Sequence, residues 1–146
     1  MDNVYEIKKA AVGNFPLIKS FLLDVPAIEE VDDAILKNAS ILYLDNKVSG
    51  VISYETFYNY ALIRYFVFKR NVDEMIIKEL FQSVEDSICD DDIEFVFSLV
   101  NQDDIYSLFS SLNFSEVKKE DVFIEEQNFE KSKFKDTKLM IKRLEV

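Results

Sequence analysis

The segment YALIRYFVF at residues 60–68 decides the fold, because a helix and then a second apolar strand follow it. From Val72 to Ile88 apolar residues recur every three or four positions, which is the spacing of a helix with one buried face. The second strand, IEFVFSLV at residues 93–100, leads into a shorter helix that ends at Asn113. A strand, a crossover helix and another near-continuous apolar strand predict a right-handed βαβ unit with two parallel strands. We expect any chemistry at the carboxyl end of the first strand and the amino end of the helix after it.

The flanking segments predict further strands and helices around this unit. They are a strand at 4–8, a helix from Asn14 to Leu22, a helix from Pro26 to Asn38, a hairpin of strands 40–44 and 48–55, a strand within 117–124, a loop over 125–136 and a closing strand at 137–144. Gly50 lies inside a strand and indicates a bulge or a close backbone approach. This order predicts one α/β (α+β) domain over residues 1–146, with a mixed sheet and helices on both faces.

The composition limits the class of protein. The chain has 146 residues, of which 49% are hydrophobic, so one domain with a proper core is expected. Its net charge of −11 argues against nucleic acid and anionic membrane surfaces as partners. The chain has no histidine, which excludes histidine-based catalysis and histidine metal ligands, and no metal is predicted. Apolar runs are strand-sized and no signal peptide is visible, so a cytoplasmic location is expected, with the single Cys89 buried on its helix.

The order and the lengths of these elements resemble the GNAT superfamily of acyl-CoA-dependent N-acyltransferases, over nearly the whole chain. Three places carry the resemblance. The hairpin ILYLDNKVSGVISY at 41–54 has the polar turn and the apolar-x-Gly pattern, and Val67 lies 13 residues before Leu80. The segment LFSSLNF at 108–114 is similar to the Leu-Tyr-x-x-Leu-Gly-Phe that ends the last family helix. The resemblance implies a GNAT-like mixed sheet that is mostly antiparallel, with a central pair of parallel strands that splay apart.

The resemblance also implies a cofactor and a set of contacts. Acetyl-CoA would be the co-substrate, and a small amine or a protein amine would accept the acetyl group. The pantetheine would pair with the backbone at the end of the central strand, at Phe66, Val67 and Phe68. The pyrophosphate would lie on the N–H groups at the start of the following helix, at Asn71, Val72, Asp73, Glu74 and Met75.

The chain departs from the family pattern at this loop. No glycine lies between Val67 and Leu80, although the family motif uses glycines so that the backbone can approach the phosphates. Asn71 and Glu74 have the spacing of a capping box, which would satisfy the helix start by itself. Asp73 and Glu74 also place negative charge where the pyrophosphate would bind.

The catalytic positions depart as well. Phe109 stands where family members often have a tyrosine that protonates the leaving thiolate. Tyr106, one turn earlier, is the replacement acid, and its alternative interpretation is a partly exposed aromatic residue on a short helix. Tyr54 and Glu55 are candidate substrate contacts, with a solvated strand end as the alternative. The aromatic residues around the 57–60 turn line either a pocket, a partner surface or the sheet core: Tyr54, Phe57, Tyr58, Tyr60, Tyr65 and Phe66.

Two functional hypotheses follow from the sequence. The first is an N-acetyltransferase whose acid-rich surface favours a cationic amine acceptor. The second is a catalytically inactive GNAT-fold protein that acts as a binding or regulatory module and does not use acetyl-CoA. The acceptor and the oligomeric state, monomer or homodimer, stay open at this point.

Overall fold

The computed structural model describes residues 4–25, 28, 30–57, 59–89, 92–100, 103–117, 123–124, 127–128 and 138–144. The elements in chain order are β1 (Tyr5–Lys9), α1 (Phe15–Leu23), α2 (Asp33–Leu36), β2 (Ser40–Leu44), β3 (Lys47–Phe57), β4 (Tyr60–Phe68), α3 (Glu74–Cys89), β5 (Phe95–Val100), α4 (Asp103–Ser111), β6 (Ser115–Val117), β7 (Phe123–Ile124), β8 (Gln127–Asn128) and β9 (Lys138–Arg143). Seven strands form one mixed sheet in the order β1-β2-β3-β4-β5-β9-β6, and β7 pairs with β8. The predicted mixed, mostly antiparallel sheet is therefore confirmed.

The chain divides into two compact units, and β4 contributes to both of them. The first unit comprises Met1–Glu55 and Arg64–Asp90. In it, β1 and β2 are antiparallel, and β2 and β3 form the predicted hairpin. The two turn residues, Asp45 and Asn46, have φ angles of 50° and 67°. Positive φ at both positions is what a two-residue type I′ turn requires, and Asp and Asn tolerate it better than most residues.

Helices cover both faces of the sheet in the first unit. Ile41 of β2 packs into a core cluster with α1 and α2, made by Ile18, Leu22, Leu36, Ala39, Ile41 and Val51. The neighbouring Ser40 instead lies with its Oγ 3.0 Å from the Oγ of Ser83 on α3. Because adjacent residues of a strand point to opposite faces, α1 and α3 lie on opposite sides of β2. The buried face of α3 is the predicted one, with Leu80, Phe81, Val84 and Ile88 inside.

Gly50 lies next to a bulge, which confirms the first interpretation, and the group that approaches it closely is the side chain of Phe68 rather than another backbone. Leu42 faces Gly50 and Tyr43 faces Val48, so Ser49 is an additional residue in β3 and forms a bulge. A Cβ atom on Gly50 would lie 2.7 Å from Cδ1 of Phe68, on β4. The bulge is connected to the end of β4, because the Lys69 N–H donates to the Ser49 carbonyl at 2.9 Å.

The second unit comprises Thr56–Ile63 and Asp91–Val146. It contains the predicted parallel pair, in register from Tyr60 opposite Phe95 to Leu62 opposite Phe97. β9 then pairs antiparallel with both β5 and β6. Tyr60 stacks on Phe57 at 5.6 Å and meets the Phe97 ring edge to face at 5.1 Å. These aromatic residues of the 57–60 turn therefore serve sheet packing, whereas Tyr58 lies outside the described residues.

The segment LFSSLNF at 108–114 forms the end of α4 and the turn that closes it. The N–H of Phe114 donates to the Phe109 carbonyl at 3.0 Å, and the N–H of Asn113 donates to the Ser110 carbonyl at 3.1 Å. Asn113 has a φ of 72°, and the rings of Phe109 and Phe114 contact each other at 5.0 Å. This is a Schellman motif with its hydrophobic contact.

Several local predictions were wrong. The second helix is only Asp33–Leu36, because Asp32 caps it by accepting from the Ala34 N–H; its predicted start at Pro26 lies outside the described residues. Asn14 is the N-cap residue of α1, as its position before Phe15 and Pro16 predicts, but its side chain makes no capping bond to the helix and accepts from the Ala11 N–H instead. Cys89 is exposed because it is the last residue of α3, past the final buried position, Ile88.

Element boundaries near the carboxyl end also differ from the prediction. Within the predicted loop at 125–136, Gln127–Asn128 pairs with Phe123–Ile124 as a short hairpin, and the rest of the loop lies outside the described residues. The predicted 117–124 strand corresponds to β6 and β7, which are separated by residues that the structure does not describe. The closing strand is confirmed as β9.

Candidate functional site

The end of β4 is packed tightly against its neighbour in the first unit. Phe66 and Phe68 meet edge to face with their centroids 4.8 Å apart, and both are half-buried, as is Val67 between them. The chain then turns, with the Val72 N–H donating to the Lys69 carbonyl at 3.2 Å. One of the N–H groups that the pyrophosphate was expected to meet is thus already paired within the loop.

The start of α3 is capped by Asp73. Its Oδ1 accepts from the Met75 N–H at 2.8 Å, and its carbonyl accepts from the N–H groups of Ile76 and Ile77 at 3.0 and 3.1 Å. The predicted capping box of Asn71 with Glu74 is therefore wrong. The physical reason is that α3 begins at Glu74, so the N-cap is Asp73 and Asn71 lies two residues before it.

These residues do not fit a bound pyrophosphate. The Asp73 carboxylate occupies the Met75 N–H, and Glu74 adds a second acid in the first turn. Among the residues that the structure describes, the ion pair that offsets the charge of Glu74 is a long one, 4.0 Å to Lys78. The Met75 side chain is 67% exposed, so it does not fill the space beside the helix start. The partial positive charge at the start of α3 would attract phosphate, but the carboxylates of Asp73 and Glu74 already lie there.

Tyr65 is the unusual residue of β4. Its φ is 57°, in the left-handed region that an aromatic residue in a strand rarely adopts. The Asp32 N–H donates to the Tyr65 hydroxyl at 2.9 Å, and the ring packs against the core cluster of α1 and α2. Sequence reasoning named Tyr65 only as one of several aromatics, because no local pattern signals a positive φ at tyrosine. The observed contacts give it a structural role.

The two predicted substrate residues, Tyr54 and Glu55, have different surroundings. Tyr54 is 2% exposed and its carbonyl accepts from the Asn38 Nδ2 at 2.9 Å. Glu55 forms an ion pair with Arg64, and both side chains are about three-quarters buried. The sequence did not single out Arg64. A possible signal was that Glu55 and Arg64 carry opposite charges and lie on β3 and β4, the two strands joined by the 57–60 turn. Neither residue is a solvated strand end, and Glu55 already has a cationic partner.

The predicted catalytic residues belong to the second unit. Phe109 is 1% exposed and is part of the Schellman motif described above. Tyr106 is half-buried on the same helix, one turn earlier. The residues from Phe66 to Met75 belong to the first unit. The packing of Phe109 explains a phenylalanine at this position without reference to catalysis.

The described part of the chain lacks both a membrane-spanning helix and a group of metal-ligating side chains. No helix there combines the length and the apolar character needed to cross a bilayer. No three potential metal-ligating side chains come together among the same residues.

Comparison with known proteins gave structural neighbours alone. No protein-family model and no curated protein matches the chain. N-acetylglutamate synthase from Neisseria gonorrhoeae, complexed with coenzyme A and N-acetyl-glutamate, is similar with a TM-score of 0.77 and 17% identity, over 100% of this chain and 36% of that one. Rv2747 from Mycobacterium tuberculosis, in complex with CoA, has a TM-score of 0.75 and 16% identity over 96% and 99% of the two chains. A GNAT-family acetyltransferase from Staphylococcus aureus has a TM-score of 0.73 and 14% identity over 97% and 100%. The chain thus spans about a third of the synthase.

Proposed function

The chain has the fold of the GNAT acetyltransferases, and from that premise we propose that it is a GNAT-fold binding or regulatory module that does not use acetyl-CoA. The observation that carries this proposal is the hydrogen bond from the Met75 N–H to the Asp73 carboxylate at 2.8 Å. The resemblance implies that the pyrophosphate of acetyl-CoA would lie at the start of α3, where N–H groups without a helix partner favour anions. Here the chain's own aspartate takes that position.

The charge at the helix start supports the same conclusion. Two unit charges about 4 Å apart interact by about 4 kcal/mol at an effective dielectric constant of 20. Salt and solvent screen much of this at an exposed loop. A residual repulsion of about 1.4 kcal/mol would still weaken binding about tenfold. Lys69 and Arg70 lie upstream and are exposed, but the bond between Asp73 and Met75 would still have to break before phosphate could bind there.

The candidate catalytic side chains also favour a protein without transferase activity. A general base needs a carboxylate that can take a proton from the amine, whereas Glu55 is paired with Arg64. A general acid needs a proton to donate, whereas Phe109 has none and is buried in a helix-ending motif. Tyr106 remains the one candidate acid that the sequence suggested on α4.

The second candidate function is acetyl transfer from acetyl-CoA to an amine. It is favoured by one observation, that the similar structures from Neisseria gonorrhoeae and Mycobacterium tuberculosis contain coenzyme A. In that case the backbone at Phe66–Phe68 would hold the pantetheine, Tyr106 would act as the acid, and a small amine or a protein amine would be the acceptor. The Asp73 cap would have to open for the cofactor to bind.

Calorimetric titration with acetyl-CoA distinguishes the two functions. We expect the native chain to show no saturable binding below about 1 mM acetyl-CoA. The Asp73→Gly/Glu74→Gly/Met75→Gly variant, which restores a glycine-rich helix start, should bind more tightly than the native chain. Micromolar binding by the native chain would refute the proposal, and release of CoA thiol with a panel of amines would then establish the second function.

A matched variant separates the capping bond from the charge. Asp73→Asn keeps a good N-cap but removes the negative charge. If the capping bond blocks the site, this variant should bind acetyl-CoA no better than the native chain. If repulsion dominates, it should bind better by about tenfold or less. Circular dichroism of each variant verifies that α3 is still folded.

A further inference from the structure

A pocket in the first unit is lined by residues of α1, of the β2–β3 hairpin and of the loop between β4 and α3. It has a volume of about 350 Å³ and lies between α1 and the β2–β3 turn. Leu17 and Phe21 of α1 line one wall, and Tyr43 and Val48 of the hairpin line another. Phe21, Tyr43 and Val48 also pack against the core cluster, and this packing holds the apolar lining of the pocket in place. Its size is at the lower end of the range of about 300–1,000 Å³ for small-molecule sites.

Two lysines line the same pocket. Lys47 is the first residue of β3, and Lys69 directly follows β4. Their backbones are held in place, because Lys47 pairs with Leu44 and the Lys69 N–H donates to the Ser49 carbonyl. Within the part of the chain that the structure describes, neither lysine has a carboxylate within ion-pair distance. Lys8, Lys19 and Lys78 each do.

Asp24, at the carboxyl end of α1, adds a single negative charge to the lining. A purely anionic ligand such as a nucleotide would meet this carboxylate as well as the lysines. A ligand that carries both a carboxylate and an ammonium group would match all three charged side chains. The apolar lining calls for an apolar portion on the same molecule.

We propose that this pocket binds a free α-amino acid with an apolar side chain. The ligand carboxylate interacts with Lys47 and Lys69, its ammonium group interacts with Asp24, and its side chain packs on Leu17, Phe21, Tyr43 and Val48. The inference goes beyond the proposed function and does not depend on it, because binding in this pocket requires neither acetyl-CoA nor a change at the start of α3. It would supply the module with a small-molecule ligand.

The test is a titration of the ¹⁵N-labelled full chain with L-leucine and L-phenylalanine, followed by amide NMR shifts. At least one of them should cause saturable shifts at Phe21, Val48 and Lys69. Two analogues of leucine test the charges, since 4-methylpentanoate lacks the ammonium group and 3-methylbutylamine lacks the carboxylate. Each should bind about twofold to fivefold more weakly than leucine, as the loss of one exposed charge pair predicts.

Variants connect the binding to the named side chains. Lys47→Gln and Lys69→Gln should each weaken amino-acid binding by about fivefold, and Asp24→Asn should remove the preference for leucine over 4-methylpentanoate. Lys9→Gln, an exposed change on β1, is the matched control and should leave binding unchanged. The proposal is overturned if neither amino acid gives saturable shifts, or if the shifts map outside the pocket. It is also overturned if 4-methylpentanoate binds the native chain as tightly as leucine.

Discussion

The ring of Phe68 occupies the space that a side chain at Gly50 would need. A Cβ atom at residue 50 would lie 2.7 Å from Cδ1 and 3.2 Å from Cε1 of that ring. Gly50 follows the Ser49 bulge, and the Ser49 carbonyl accepts from the N–H of Lys69, the residue after Phe68. The end of β4 is therefore positioned by one glycine and one bulge on β3.

Gly50→Ala should destabilise the protein by about 1–3 kcal/mol, because the methyl group overlaps the half-buried ring of Phe68, which also contacts Phe66. Urea denaturation measures this change. Gly13→Ala is the matched control, since no atom lies within 4 Å of a Cβ there, and it should leave stability unchanged or raise it slightly. In the Gly50→Ala background, Phe68→Leu should recover part of the loss. Equal stability of the two alanine variants would contradict the predicted overlap.

Asp73→Ala should lower the stability by about 1 kcal/mol, since it removes the N-cap of α3. Asn71→Ala should change it by less than about 0.5 kcal/mol, because Asn71 is an exposed residue before the cap. Thermal or urea unfolding of the two variants decides which residue caps the helix. A larger effect at Asn71 than at Asp73 would mean that the helix starts earlier in solution.

Phe109→Ala should destabilise the protein by about 3–5 kcal/mol, because it empties a buried site and removes the contact with Phe114 that closes α4. Ser110→Ala, an exposed change in the same turn, is the control and should have little effect on the unfolding midpoint. Urea denaturation compares the two. A loss at Phe109 similar to that at Ser110 would indicate that this position is not part of the core.

Tyr5 and Glu79 link β1 to α3 through a pH-dependent hydrogen bond. The Tyr5 hydroxyl donates to Glu79 Oε2 at 2.8 Å, and this bond, followed by burial and by repulsion from the Glu79 charge, raises the pKa of Tyr5 above 10.0. A raised pKa in the folded state means that the stabilisation is complete below pH 10.0 and is lost as the pH rises through the folded-state pKa.

Tyrosinate absorbance in alkaline titration tests this pair. The component that disappears in Tyr5→Phe should titrate above pH 10.0, and Glu79→Gln should move it downwards. Stability should fall less steeply above that pH in Tyr5→Phe than in the native chain. A Tyr5 transition at or below the ordinary tyrosine pKa would show that the bond is absent in solution.

The ion pair of Glu55 and Arg64 should couple the two side chains energetically. Both are mostly buried, so a double-mutant cycle of Glu55→Gln and Arg64→Met should give a coupling energy of at least about 0.5 kcal/mol. The cycle of Glu6→Gln and Lys8→Met, an exposed pair on β1, is the comparison and should give less. A coupling near zero for Glu55 and Arg64 would leave Glu55 available as a base, in favour of the second candidate function.

The order of the elements and the parallel pair were predictable because they depend on local periodicity. The apolar runs at 60–68 and 93–100 and the spacing of Leu80, Phe81, Val84 and Ile88 reflect burial, which the structure shows at those helix positions. Gly50 was predictable for a similar reason, since a glycine within a strand has few physical explanations. These features depend on the residue types and their intervals, which a sequence contains completely.

The details of the candidate site depended on the tertiary structure. The spacing of Asn71 and Glu74 predicted a cap at Asn71, whereas Asp73 caps the helix. The difference depends on where the chain enters α3 after β4, which the Lys69–Ser49 hydrogen bond helps to set. The ion pair of Glu55 with Arg64 and the left-handed φ of Tyr65 arise where strands meet, over distances that a local pattern does not record. The sequence by itself therefore determined the fold and the absence of a glycine loop. Only the tertiary structure decided that Asp73 caps the helix, because capping depends on the three-dimensional path of the backbone.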